Sequence, residues 1–184
     1  MFLKNPKTVG ALFPSSRSLT GAMIREGGDL HKSKLIVELG VGTGVLTGHL
    51  AEQLPKTCDF FALELNPVFA QQVQEALPHL TIYEDSAAHI NDYLERHHAS
   101  HVDTIYSGIP WANIPPSVQL DILKSIHESL RPGGKFITFA YTHSYYFRTA
   151  SNFRDLLEER FSSLEVSPIV WKNIPPAVIY TCVK

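Results

Sequence analysis

The stretch Leu35-Ile-Val-Glu-Leu-Gly-Val-Gly-Thr-Gly-Val-Leu46 decides the fold. An apolar run containing one acid, Glu38, is followed by three glycines two apart, Gly40, Gly42 and Gly44, with Thr43 inside the turn. Leu35, Ile36 and Val37 are β-forming residues in an unbroken apolar run, as a strand buried on both faces requires. The glycines remove side chains where the backbone turns tightly and a ligand approaches it. The segment therefore reads as a strand that breaks into a glycine turn and opens a helix. A phosphate cradle needs Gly-Lys-Ser/Thr, and here Val45-Leu46 follow Gly44, which excludes that class. A dinucleotide fingerprint is G-x-G-x-x-G, whereas this turn is E-x-G-x-G-x-G, with Glu38 placed to repel a pyrophosphate. Glu38 suits a cationic ligand.

Further acids stand at the ends of the next two apolar runs. FFALELN at 60–66 carries Glu64, 24 residues after Gly40. An acid about 20 residues beyond such a turn binds ribose hydroxyls in dinucleotide folds, and the same geometry serves an adenosyl ribose. LTIYEDS at 80–86 ends in Asp85-Ser86. The glycine turn resembles motif I of the class I methyltransferases, whose ligand, S-adenosylmethionine, has an ammonium and a sulfonium but no phosphate. The resemblance implies a cofactor site of Glu38, Gly40, Gly42, Thr43, Gly44, Glu64, Asp85, Ser86 and Ser107, with the Asp85-Ser86 pair beside the adenine, and S-adenosylhomocysteine as product.

Strand patterns fall near 34–40, 59–65, 80–84, 102–107 and 134–141, and helical patterns near 44–54, 67–77, 86–97, 116–130 and 151–160. Such alternation means crossover connections and a parallel sheet covered on both faces. The runs 164–171 and 177–183, joined across Lys172 to Pro176, read as an antiparallel hairpin. The expectation is an α/β, Rossmann-like class I methyltransferase fold, with a mostly parallel seven-stranded sheet ending in that hairpin. With 184 residues, 44% of them hydrophobic, the chain fits a single domain over 1–184. Its first 30 residues read as a basic, helical segment whose helix is expected to be capped near Pro14-Ser15-Ser16.

Cys58 and Cys182, far apart and both in strand patterns, read as reduced thiols of a cytoplasmic protein. No run approaches the ~18–20 apolar residues of a membrane span, so membrane contact is expected to be peripheral, at the inner face. The net charge of −2 conceals basic ends and an acidic centre: residues 1–36 hold six Lys/Arg against Glu26 and Asp29, while 37–130 hold three basic and twelve acidic groups. Basic ends suit a polyanionic surface, and an acidic centre suits a cationic cofactor. His97, His98 and His101 read as charge complementation at a helix end, and no metal is expected. Tyr145-Tyr146-Phe147 read as core, cofactor-lid or lipid-facing packing.

In open α/β sheets the ligand lies beyond the carboxyl ends of the strands, so the loop after the fourth strand, Ser107-Gly108-Ile109-Pro110-Trp111, should face the acceptor. It is similar to the Asn-Ile-Pro-Tyr loop of rRNA adenine dimethylases, but Ser-Gly replaces the Asn carboxamide that would accept from an exocyclic amine. Trp111 offers a ring for stacking or cation–π contact. The opening LKNPKTVGALFPSSR at 3–17, this loop, and NIPPAVIY at 173–180 together resemble bacterial phospholipid N-methyltransferases. That resemblance implies methylation of phosphatidylethanolamine toward phosphatidylcholine, with lipid head groups at an anionic membrane surface as partner. An rRNA adenine N6-methyltransferase, with RNA as partner, is the alternative, and a non-catalytic adenosyl-binding module is a third reading. Such transfer needs alignment at ~3–3.5 Å and an unprotonated amine. Tyr141 is the candidate amine-orienting group and His143 the candidate proton acceptor, with Ser107 and Trp111 completing the catalytic set.

Overall fold

The computed structural model describes residues 15–143 and 148–184, the side chains of 148–151 excepted. Seven strands form one sheet, β1 (Leu35–Leu39), β2 (Asp59–Glu64), β3 (Thr81–Glu84), β4 (Val102–Ser107), β5 (Leu130–Tyr141), β6 (Ser163–Val166) and β7 (Ala177–Val183), in the order β3-β2-β1-β4-β5-β7-β6. The first five run parallel, and β7 pairs antiparallel with both β5 and β6. The expected mixed sheet is therefore present.

Alternation along the central strands sorts side chains between two helical layers. Leu35, Val37 and Leu39 of β1 and Phe61 and Leu63 of β2 face one core with α4 (Asn91–Leu94), α5 (Pro116–Ser129) and α6 (Arg148–Arg160). Ile36, Phe60 and Ala62 face the other with α1 (Arg17–Gly27), α2 (Val45–Ala51) and α3 (Pro67–Ala76). By the same alternation Glu38 and Glu64 fall on the second face. Ser16 caps α1 by accepting from the Leu19 N–H at 3.2 Å, as the serine pair predicted. Asn66 caps α3, and Pro67 occupies its first turn, where its missing N–H costs nothing.

Several local expectations are corrected. The helix expected over 86–97 is three short pieces, Ala87–His89, Asn91–Leu94 and Glu95–His97, the first capped by Ser86. The strand expected over 164–171 ends at Val166, and pairing resumes only as a bridge between Val170 and Ala177. Pro168 has no N–H to give a ladder. Cys58 precedes β2 rather than lying within it, whereas Cys182 is buried in β7, and both thiols are free. His97 is not a helix-end charge facing solvent. Its ring stacks on Phe61 at 4.5 Å, with Nδ1 at 2.7 Å from Asp59 Oδ2 and Nε2 at 3.1 Å from the Tyr83 hydroxyl. It ties the segment after α4 to β2 and β3. The expectations for residues 3–14 and for Tyr145-Tyr146-Phe147 lie outside the described residues.

The chain reverses direction across the sheet between β1 and β4, and the crevice there depends on two glycines. Gly40 continues β1 by donating to Leu63 O, and Gly108 continues β4 by donating to Leu39 O, each at 2.8 Å. A Cβ on Gly108 would lie 2.5 Å from Gly40 O, and one on Gly40 would lie 3.0 Å from the Ile109 side chain. Only glycine permits this approach. Gly108→Ala is expected to destabilise the fold by ~1–3 kcal/mol, because backbone must shift to admit the methyl group. Urea denaturation followed by circular dichroism measures the change, and an unchanged midpoint would contradict the contact.

Candidate functional site

A cavity of about 330 Å³ opens at the carboxyl ends of β1, β2 and β4. This is where an open parallel sheet holds its ligand, at the point where strand order reverses. Its wall includes Glu38, Gly40, Gly42, Thr43, Glu64, Asp85, Ser86 and Tyr141, so the structure gathers eight of the residues singled out from sequence. Gly44 lies just outside, as the left-handed cap of α2 (φ 79°), where a Cβ would strike Val73 at 2.9 Å. Gly42 also has a positive φ of 50°, but a Cβ there would meet nothing within 4 Å. That glycine leaves open space against the cavity.

Glu38 is the unusual group. It is fully buried, and neither carboxylate oxygen has a hydrogen-bond partner among the described residues. Thr47 of α2 stands beside it and opposes the effect of burial, but its hydroxyl does not reach hydrogen-bonding geometry. Burial pushes the Glu38 carboxyl up to about 8, with the Glu64 charge adding to the rise. An unpaired buried carboxylate is costly, so in the ligand-free protein the group holds its proton near neutral pH. A cation entering the cavity would restore the charged form.

Glu64 is already oriented. Its Oε2 accepts from Gly42 N–H at 3.0 Å and Oε1 from Asn66 N–H at 2.8 Å, which leaves further lone pairs toward the cavity. Burial raises Asp85, but hydrogen bonds from the Tyr93 hydroxyl (2.7 Å), the Ser86 N–H (2.6 Å) and His89 (2.8 Å) outweigh it and hold the carboxyl below its ordinary range. It is a fixed acceptor rather than a proton carrier. The donor set fits S-adenosylmethionine: an orphaned carboxyl for the ammonium, an open glycine cradle, and acceptors for ribose hydroxyls and an exocyclic amine. Among the described residues no cluster of three His, Cys, Asp or Glu could hold a metal.

The rest of the expected catalytic set is distributed differently. Ser107 and Trp111 are buried and do not line the cavity. The Trp111 indole N–H is shared between Ser107 Oγ (3.2 Å) and Thr138 Oγ1 (3.1 Å), and its ring stacks on Phe153 at 4.6 Å. It therefore offers no exposed face for stacking an acceptor. Gln119, which the sequence reading passed over, donates to Trp111 O at 2.7 Å and Ile114 O at 3.0 Å and fastens the same loop to α5. The loop presents Gly108, Ile109 and Pro110 to the cavity instead. Tyr141 is half-buried in the wall, and burial lifts its phenol above the ordinary value, so it stays neutral at physiological pH. His143 stacks on Tyr141 at 5.6 Å but is exposed and outside the wall. Phe69, Ile114, Val118 and Phe139 also line the space. In the sequence such residues stand out only as apolar.

The Glu38 shift has a testable sign. The folded carboxyl keeps a proton that the unfolded chain releases near 4.5, so its stabilising contribution is full below that pH and is lost as pH rises through about 8. Within that window the loss is ~1.4 kcal/mol for each pH unit at its steepest. In the ligand-free protein Glu38→Gln should match the parent near pH 5 and become progressively more stable than it toward pH 8.5. Chemical denaturation across pH checks this, and a constant difference would contradict the buried, unpaired carboxyl.

A model of the methyltransferase domain family matches residues 36–134. The sequence is 26% identical to an ornithine lipid N-methyltransferase of Singulisphaera acidiphila, over 98% of this chain and 91% of that one. A tRNA1(Val) (adenine(37)-N6)-methyltransferase of Haemophilus influenzae is 38% identical over a shorter region, covering 30% of this chain and 24% of that one. The structure of N-methyltransferase NodS from Bradyrhizobium japonicum with S-adenosyl-L-homocysteine superposes with a TM-score of 0.68 at 12% identity, over 91% of this chain and 86% of that one, a likeness of fold. A family match across more than half of the chain, on a sheet of this order, makes this protein a member of the methyltransferase domain family and S-adenosylmethionine its methyl donor.

Proposed function

We propose that the protein is an N-methyltransferase acting on the primary amine of a membrane lipid, phosphatidylethanolamine toward phosphatidylcholine, at the membrane surface. The observation that carries this reading is the end-to-end similarity to a lipid N-methyltransferase, 98% of this chain, against a tRNA-methyltransferase match confined to 30%. S-adenosylmethionine supplies an electrophilic methyl group on a sulfonium. Glu38 would hold its ammonium, Gly42 would admit its close approach, Glu64 would accept from the ribose hydroxyls, and Asp85 and Ser86 would border the adenine.

The acceptor side is built from Ile109, Pro110, Ile114, Val118, Phe139 and Tyr141. An ethanolamine ammonium has an intrinsic pKa of about 10, near that of lysine, and must lose a proton before its lone pair can react. An apolar wall disfavours the charged form and so lowers that pKa. The neutral Tyr141 phenol can accept an N–H of the free amine and fix the direction of the lone pair. Ser107, Trp111 and Gln119 act one step away, as positioning residues that hold the Gly108–Pro110 backbone.

Tyr141→Phe should lower kcat on the lipid by about 10-fold or more while leaving the cofactor Kd unchanged, the mark of an interaction made at the reacting centre. Labelled S-adenosylmethionine offered in parallel to phosphatidylethanolamine, to ornithine lipid and to unmodified RNA tests the function. Label in phosphatidylethanolamine supports the proposal, label in ornithine lipid alone reassigns the head group, and label in RNA alone overturns the lipid reading.

A further inference from the structure

Two large apolar side chains in the connection between β6 and β7 are largely exposed. Trp171 is 72% and Ile174 75% exposed, and Ile169 beside them is 38% exposed. The segment that carries them is firmly tied. Asn173 N–H donates to Val170 O at 3.2 Å, closing a turn with Trp171 and Lys172 at its tip, and Val170 N–H donates to Ala177 O at 2.8 Å. The buried Asn173 side chain accepts from Ser16 N–H at 2.8 Å and donates to Pro175 O at 2.7 Å. Thr142, just past β5, donates to Pro176 O through both its N–H (2.9 Å) and its hydroxyl (3.2 Å). A rigid turn that presents a tryptophan and an isoleucine to water gives up the free energy of burying them, which marks a surface that meets a partner.

We propose that this turn is a membrane-docking element that seats the cavity mouth on the bilayer, an inference that rests on the lipid reading above. Its position is the first reason. The register Tyr141↔Ala177 sets the turn beside Tyr141, at the same edge of the sheet as the cavity. Val118, which lines the cavity and is 40% exposed, adds an exposed apolar side chain at the cavity. Chemistry is the second reason. Tryptophan, with an apolar body and one N–H donor, favours the interface between head groups and acyl chains. Lys172 stands at the tip, and the chain carries no acidic side chain after Glu165. That charge suits anionic lipid, whereas an apolar protein partner would have no use for the lysine. Insertion of Trp171 and Ile174, with Lys172 level with the phosphates, would present a head-group amine to the cavity without any spanning segment.

The chain has two tryptophans, and Trp111 is buried, so Trp171 dominates any change in emission on binding. With full-length protein and vesicles of phosphatidylcholine, phosphatidylethanolamine and phosphatidylglycerol, the Trp171 emission should shift to the blue and be quenched by bilayer-borne bromolipid. In sedimentation, Trp171→Ser/Ile174→Ser should bind the same vesicles about 10-fold more weakly or worse. Cofactor binding, and turnover on a monomeric short-chain phosphatidylethanolamine, should match the parent. The proposal is overturned if the parent does not sediment, if the double variant sediments equally, or if the emission does not change. It is also overturned if Trp171 is already shielded from acrylamide without vesicles, which would mean that residues 1–14 or a second copy cover the turn. The lipid reading fails separately, when no form methylates the short-chain lipid.

Discussion

The structure turns on the backbone contact between Gly40 and Gly108. There a Cβ on Gly108 would strike Gly40 O, while Gly40 itself holds a left-handed backbone (φ 76°) with the Ile109 side chain against it, and both strands continue one residue beyond the sheet through backbone hydrogen bonds. Everything at the carboxyl edge follows from that approach. It brings the glycine turn after β1 against the loop after β4. It also sets Gly42 and Glu64 on the wall of the same cavity as Ile109 and Pro110. The strand-order reversal makes a crevice in any open sheet of this kind, and the paired glycines draw the two loops that border this one close together.

Within the crevice the chain keeps a group that does not help it fold. Glu38 is buried without a partner among the described residues and protonated near neutrality, while the neighbouring Glu64 and Asp85 are each held by two or more donors. An apolar residue in its place would pack with Ile36 and Ala62 at no such cost. The unpaired carboxyl is understood as half of an interaction that the ligand completes. The same division appears at the outer edge, where Trp171 and Ile174 are exposed on a turn that Asn173 holds rigid. In both places stability is given up at a position aimed at something outside the chain.

Much of this was legible in the sequence, because the relevant constraints are local. An apolar run ending in an acid and a glycine turn fixes a strand, a left-handed backbone and a pocket within a dozen residues. The alternation of strand and helix then fixes the sheet. What was not legible depended on distant partners. Trp111 reads as an acceptor-facing ring until Thr138 and Phe153, far along the chain, turn its indole inward. His97 reads as an end-of-helix charge until Asp59, 38 residues earlier, takes its Nδ1. Gln119 and Asn173 look like ordinary polar residues, and only the folded chain shows that each is buried and clamps a loop that borders the site.

The buried Glu38 carboxyl is read as the charge that receives the cofactor's ammonium. Calorimetry of S-adenosylhomocysteine binding at pH 7, repeated in buffers of different ionisation enthalpy, measures the protons exchanged. With the free carboxyl near 8, the parent should release about one proton, and that release should be absent in whatever binding Glu38→Gln retains. No proton release by the parent, or an equal release by the variant, would contradict it.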